Sequence, residues 1–135
     1  MNVEWLVGKA CTRVCAHTAH STTFEFEDAK LVVEALWRIT VDSTLRRTSL
    51  DHGQQFGLPR PVDAHADAFA LLRGRRVTQL GLDEQQGDLT IQLGDNTVLE
   101  VITDSSGYEP WMLTAPGRHI AAGSGGTVHD LTAEV

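Results

Sequence analysis

Apolar and polar residues alternate with a period of two over much of the chain. In "TTFEFED" (Thr22–Asp28) and "DLTIQLGD" (Asp88–Asp95) apolar and polar positions alternate, the pattern of strands with one buried face. Asp28 and the "GDNT" of Gly94–Thr97 carry hairpin chemistry, because Asp, Asn and Gly tolerate turn geometries that most residues resist. "KLVVEALWRITV" (Lys30–Val41) and "TVLEVIT" (Thr97–Thr103) read as the returning strands, and "STLRRTSL" and "RHIAAG" as one further strand each. "TVHDL" (Thr127–Leu131) adds a short edge strand to a glycine-rich tail. The period changes once, in "PVDAHADAFALLRG" (Pro61–Gly74). Proline in a first turn lacks only an N–H that had no partner there, Asp63 and Asp67 suit the positive end of a helix, and Gly74 is a natural stop. The spacing of Val62, Ala66, Phe69 and either Leu72 or Arg73 predicts the face that lies on the sheet.

The chain also repeats itself. "LVGKACTRV" (Leu6–Val14) matches "LRGRRVTQL" (Leu72–Leu80) at Leu, Gly and Thr. After a one-residue slip at the turn, "FEFEDAKLVVE" (Phe24–Glu34) meets "IQLGDNTVLE" (Ile91–Glu100), with Asp28 on Asp95, Val32 on Val98 and Glu34 on Glu100. "WRIT" (Trp37–Thr40) meets "WMLT" (Trp111–Thr114). The expected fold is therefore α+β and mostly β: a single domain over 1–135 with two similar antiparallel β-units joined by one amphipathic helix. The first unit runs from about 6 to 49, a strap covers 50–61, the helix about 61–73, the second unit about 72–125, and the tail 126–135.

Charge narrows the partners. Eleven basic against eighteen acidic residues give a net charge of −7, which argues against nucleic acid or anionic lipid and suits a basic protein partner. No apolar run approaches a membrane span, and "MNVEWLVGKA" lacks the basic start and long apolar core of a secretory signal. The chain reads as cytoplasmic, which fits two reduced cysteines, Cys11 and Cys15. These lie with His17 and His20 in "CTRVCAHTAH", zinc-ligand types at the wrong spacing: along a strand Cys11, Cys15 and His17 point one way but spread over about 20 Å and cannot meet at one ion. No metal or other cofactor is expected there. Ser124 in "AGSGG" has no nucleophile elbow, and His129 and Asp130 would point to opposite faces of a strand, so no catalytic residue is assigned.

Three places remain. The strap "DHGQQFGLPRP" (Asp51–Pro61) offers His52, Gln54 and Gln55 as hydrogen-bonding groups, with Phe56 as an anchor into the core. The second unit carries an insertion, "DSSGYEPW" (Asp104–Trp111), in which Ser105, Ser106, Tyr108, Glu109 and Trp111 combine polar reach with rigid contact area. Glu34 and Glu100 occupy matched positions and would form a carboxylate pair if the units packed about a twofold axis.

"GKACTRV", "LVVEALW", "DHGQQFGLPRPVDA" and "LEVITDSSGYEPW" give the chain its family look. Over about residues 6–125 it resembles a family of small bacterial proteins known only as a domain of unknown function. Cys11 stands where that family tends to have valine. The resemblance implies that the strap and the insertion belong to a shared design, and it supplies no activity, cofactor or catalytic residue. The reading that follows is a non-catalytic interaction module whose contact surface combines the strap with the Ser105–Trp111 loop. Toxin-neutralising immunity proteins are similar in size and charge, an analogy and no more. The alternative is a small enzyme or ligand-binding protein with a cleft using His52, Glu34 and Glu100.

Overall fold

The structure is a computed structural model, and it describes residues 1–134. Among the described residues eleven strands form two antiparallel sheets around one core. In chain order they are β1 (Cys11–Thr18), β2 (Ser21–Phe26), β3 (Ala29–Val33), β4 (Leu36–Val41), β5 (Thr44–Thr48), β6 (Val77–Leu82), β7 (Leu89–Leu93), β8 (Thr97–Ile102), β9 (Trp111–Ala115), β10 (Arg118–Ala122) and β11 (Val128–Asp130), with helix α1 (Ala64–Leu72) between β5 and β6. One sheet has the order β1-β2-β3-β9-β10-β11 and the other β5-β4-β8-β7-β6. The fold is mostly β with one α-helix, as the alternation implied. The short "TVHDL" strand is present as β11, paired with β10 at a sheet edge.

The segment Lys30–Val41 is not one returning strand. It breaks at Glu34 and Ala35, and its two parts enter different sheets. The halves of the chain therefore interlock: β3 of the first half pairs with β9 of the second, and β4 pairs with β8. Exchanging the two halves maps β1-β2-β3-β9-β10 onto β6-β7-β8-β4-β5. The sheets are also stitched where β1 and β6 begin. Gly8 N–H donates to Val77 O (2.8 Å) and Gly74 N–H to Cys11 O (2.9 Å), while Cys11 N–H donates to Arg75 O and Val77 N–H to Lys9 O, both at 2.9 Å. Gly8 and Gly74 both have positive φ, 93° and 72°, which a glycine adopts without steric penalty.

The register corrects the alignment of the units after their turns. The β2–β3 pair Phe26–Ala29 encloses two residues and the β7–β8 pair Leu93–Thr97 encloses three. The extra residue lies in the second unit, so the slip runs opposite to the one expected. Val32 faces Met112 and Glu100 faces Arg38. Since Trp37 corresponds to Trp111, and hence Arg38 to Met112, Glu100 corresponds to Val32 and not to Glu34.

The helix also starts later than its proline. Asp63 is the N-cap, its carboxylate accepting from Ala66 N–H at 3.0 Å, and carboxylates cap first-turn amides well. The buried face is Ala64, Ala68 and Leu72, with Phe69 packed partly against the core; Ala66 is exposed. The alanines let the helix lie close to the edge strand β1 and to β5. At its end Arg73 lies over the Phe69 ring at 5.9 Å.

Cys11 is buried in this core, and desolvation pushes its thiol from the ordinary thiol range up to about 11. A raised folded pKa leaves stability full below about pH 9. It is lost as the pH climbs towards 11, where the unfolded chain ionises and the folded one does not. At roughly 1.4 kcal/mol per unit this amounts to about 2–3 kcal/mol. Urea denaturation between pH 8 and 11 should show this loss, and Cys11→Ala should flatten the profile; an equal slope in the variant would assign the loss to other groups.

Candidate functional site

At one end of the molecule five chain segments meet around a cleft of about 320 Å³. The β1–β2 turn contributes Ala19 and His20, and β2 contributes Ser21 and Thr22. The β3–β4 crossing contributes Glu34, Ala35 and Leu36. Ser49, Leu50 and His52 come from the start of the strap, His65 from α1, and Asp104 from the β8–β9 loop. An adjoining hollow of about 420 Å³ shares His20, Ser21 and Glu34 and is bounded by Thr18 and Tyr108.

Local chemistry fixes each side. Leu50 sits on a single 3-10 turn (Ser49–Asp51) capped reciprocally: Thr48 Oγ1 accepts from Leu50 N–H (3.2 Å), and Asp51 accepts from Thr48 N–H (3.0 Å). Arg47 ties this turn to the helix through Asp67 at 2.9 Å. The strap then closes on itself, with Gly53 N–H donating to Val62 O (2.9 Å) and Val62 N–H to Gln54 O (2.7 Å). His52 stands at the neck of this loop, its Nδ1 accepting from Ala64 N–H at 3.1 Å. His65 is anchored more deeply. Its Nε2 is 2.9 Å from Thr22 Oγ1, which also accepts from the indole N–H of Trp37 at 3.0 Å. The rings of His52 and His65 lie 4.5 Å apart, tilted by 51°. Burial, then the neighbouring His52, lowers the pKa of His65, and the Asp63 carboxylate opposes the shift.

The expected site residues lie in different places. His52 and Glu34 line the cleft and Tyr108 the adjoining hollow, which shares Glu34; Asp104, not singled out from the sequence, lines the cleft as well. Gln54, Gln55 and Phe56 lie outside the cleft. Gln55 Nε2 donates to Leu58 O at 2.8 Å and so serves its own loop. Phe56 is no core anchor: it is 65% exposed, with φ at 49°. A loop closed by the Gly53–Val62 pairing bulges outward and has no core beneath its tip. In the insertion, Ser105 Oγ accepts from Gly107 N–H (3.2 Å) and Ser106 is exposed. Glu109 borders a smaller hollow with His17, Glu34 and Trp111. Trp111 itself is buried, and its indole N–H donates to Gly87 O at 2.7 Å, a packing role.

The structure does not bring Glu34 and Glu100 together. Glu100 accepts from Arg38 at 3.0 and 3.3 Å across the β4–β8 pair, while Glu34 ends β3 at the cleft. Cys11, Cys15 and His17 spread along β1 and His20 lies in the turn beyond it, so the four do not form a metal site. Sequence reasoning missed His65 and Asp63, which it took for helix residues only. The available signal was the "DAH" spacing at a helix N-cap, eleven to thirteen residues after another histidine.

Fold and site define a mostly β protein of two interlocked sheets with a histidine-lined polar cleft at one end. The model of a family of unknown function (DUF6188) matches residues 2–132, and the chain belongs to that family. No curated protein and no solved structure matches the chain. Among the described residues no helix is long and apolar enough to cross a membrane.

Proposed function

We propose that the protein is a non-catalytic interaction module that docks a basic protein on the face formed by the neck of the strap and the Asp104–Trp111 loop. One observation carries this reading: segments from opposite halves of the chain flank one depression, and that depression is rimmed by two large exposed side chains, Leu50 (71%) and Tyr108 (72%). Exposed apolar and aromatic groups beside a polar hollow are what a docking face presents. Glu34 and Asp104 line the hollow, and the net charge of −7 complements a basic partner and speeds its encounter. A cytoplasmic setting and an immunity-like role would fit such a partner by analogy of size and charge.

The test is retention of a basic protein at low salt by the native protein and by a Leu50→Ser/Tyr108→Ala variant. Both substituted side chains are mostly in water, so the variant should melt with the native protein, and retention should fall at least tenfold. Equal retention by both would overturn the reading. A second reading has one observation in its favour: His20, His52, His65, Glu34 and Asp104 share one cleft, the kind of convergence that small-molecule sites show. A small molecule released on denaturation, and lost in Glu34→Gln, would favour that reading instead.

A further inference from the structure

We propose that His52, Asp63 and His65 form a site for one first-row divalent transition-metal ion of the zinc class, held where the strap meets the helix. The inference stands apart from the docking reading, since it concerns what fixes the neck of the strap and not what the face recognises.

One donor atom from each of the three side chains lies within 4.8 Å of the other two. The Asp63 carboxylate oxygen is 4.0 Å from Nδ1 of His52 and 4.0 Å from Nδ1 of His65. Those gaps are too long for hydrogen bonds. A tetrahedral zinc ion with bonds of about 2.0–2.2 Å sets its donors roughly 3.3 Å apart. Closing the group on an ion therefore needs movements of about an ångström. The freedom is where it is needed, because Asp63 and His52 have side chains 64% and 45% exposed, while His65 is held at 16%.

The outer partners suit coordination. Thr22 Oγ1, itself fixed by Trp37, engages Nε2 of His65 and leaves Nδ1 to face Asp63, the kind of second partner that orients a metal-bound imidazole. The oxygen that faces both imidazoles, Oδ1 of Asp63, also caps the helix by accepting from Ala66 N–H, and a carboxylate oxygen has a second lone pair with which to bind an ion. His52 keeps its bond from Ala64 N–H if it binds through Nε2, and gives it up if it binds through Nδ1. Two imidazoles and one carboxylate favour zinc, cobalt, nickel or iron over magnesium or calcium. Three protein donors leave a fourth position open, and two of the three, His52 and His65, line the cleft. The ion would pin the strap (through His52) to the first turn of α1.

The experiment is titration of the chelator-treated full chain with Zn²⁺ by calorimetry, and with Co²⁺ by visible absorption. The expected result is one equivalent bound, a cobalt d–d spectrum of nitrogen and oxygen ligands, and a higher melting temperature with zinc. Asp63→Asn keeps a capping side chain and should weaken zinc binding at least tenfold, as should His52→Ala. A Cys15→Ser/His17→Ala variant should bind as the native chain does. Binding unchanged in Asp63→Asn and His52→Ala, or lost only in the Cys15→Ser/His17→Ala variant, would overturn the proposal, as would no saturable binding by the native chain.

Discussion

Gly126→Ala should lower the unfolding free energy by about 3 kcal/mol or more, one of the two largest single-site effects expected in this chain. Gly126 has a φ of 88°, where a β-carbon is strained. The larger cause is contact. A β-carbon there would fall on the backbone carbonyl of Gln86, well inside van der Waals distance, and the main chain of one loop cannot yield as a side-chain tip can. The two loops meet closely because Val128 N–H donates to Glu84 O at 3.0 Å, and because Gly87 faces Gly126 just as tightly: a β-carbon on Gly87 would sit 2.6 Å from Gly126 O. Gly125→Ala is the internal control. It has a φ of 83° and open space around it, so it carries the backbone penalty alone, about 1–2 kcal/mol. Paired urea denaturation curves measure the difference, and equal losses in the two variants would show that the loops separate at little cost.

Trp37→Ala should destabilise by about 3–5 kcal/mol through lost burial and the cavity left behind. Trp37 belongs to β4 in one sheet and packs edge-on against Phe24 of the other, with centroids 5.4 Å apart at 89°. Its indole N–H is also the donor to Thr22 in that other sheet. Trp37→Phe separates the two contributions. It keeps most of the apolar contact and removes the donor, and should cost about 1–2 kcal/mol. Because Thr22 also engages His65, the phenylalanine variant loosens the deepest anchor of the cleft. Thermal melts of the two variants test this, and a full alanine-sized loss in Trp37→Phe would mean the hydrogen bond dominates the packing.

Much of the fold was legible because strands announce themselves locally. Period-two alternation in "TTFEF" and "LTIQL" marks a buried face whatever that face meets, and Gly74 marks the end of α1 by its backbone freedom alone. Lys30–Val41 misled for the complementary reason. Val33 and Trp37 are both buried, so polarity runs almost unbroken across a point where the chain leaves one sheet for the other, and no local signal records the crossing. The β7–β8 turn misled in the same way. Whether one residue is added or removed at a hairpin is settled by cross-strand register, and that decision moved Glu100 opposite Arg38 and away from Glu34.

The site shows the same division. His52 was visible as an odd residue in a loop, and Tyr108 as an aromatic in an insertion. Nothing local joins them to His65, Glu34 and Asp104, because these come from separate segments brought together by strand pairing and helix docking. The sequence by itself determined the element types, the single helix, the acid-rich charge and the polar character of the strap, all properties of short windows. The tertiary structure alone decided which half supplies which sheet, that Phe56 points to water, and that two histidines and an aspartate face one another beside the cleft. Those are distances between residues far apart in the chain, set by the one packing that buries both sheets' apolar faces at once.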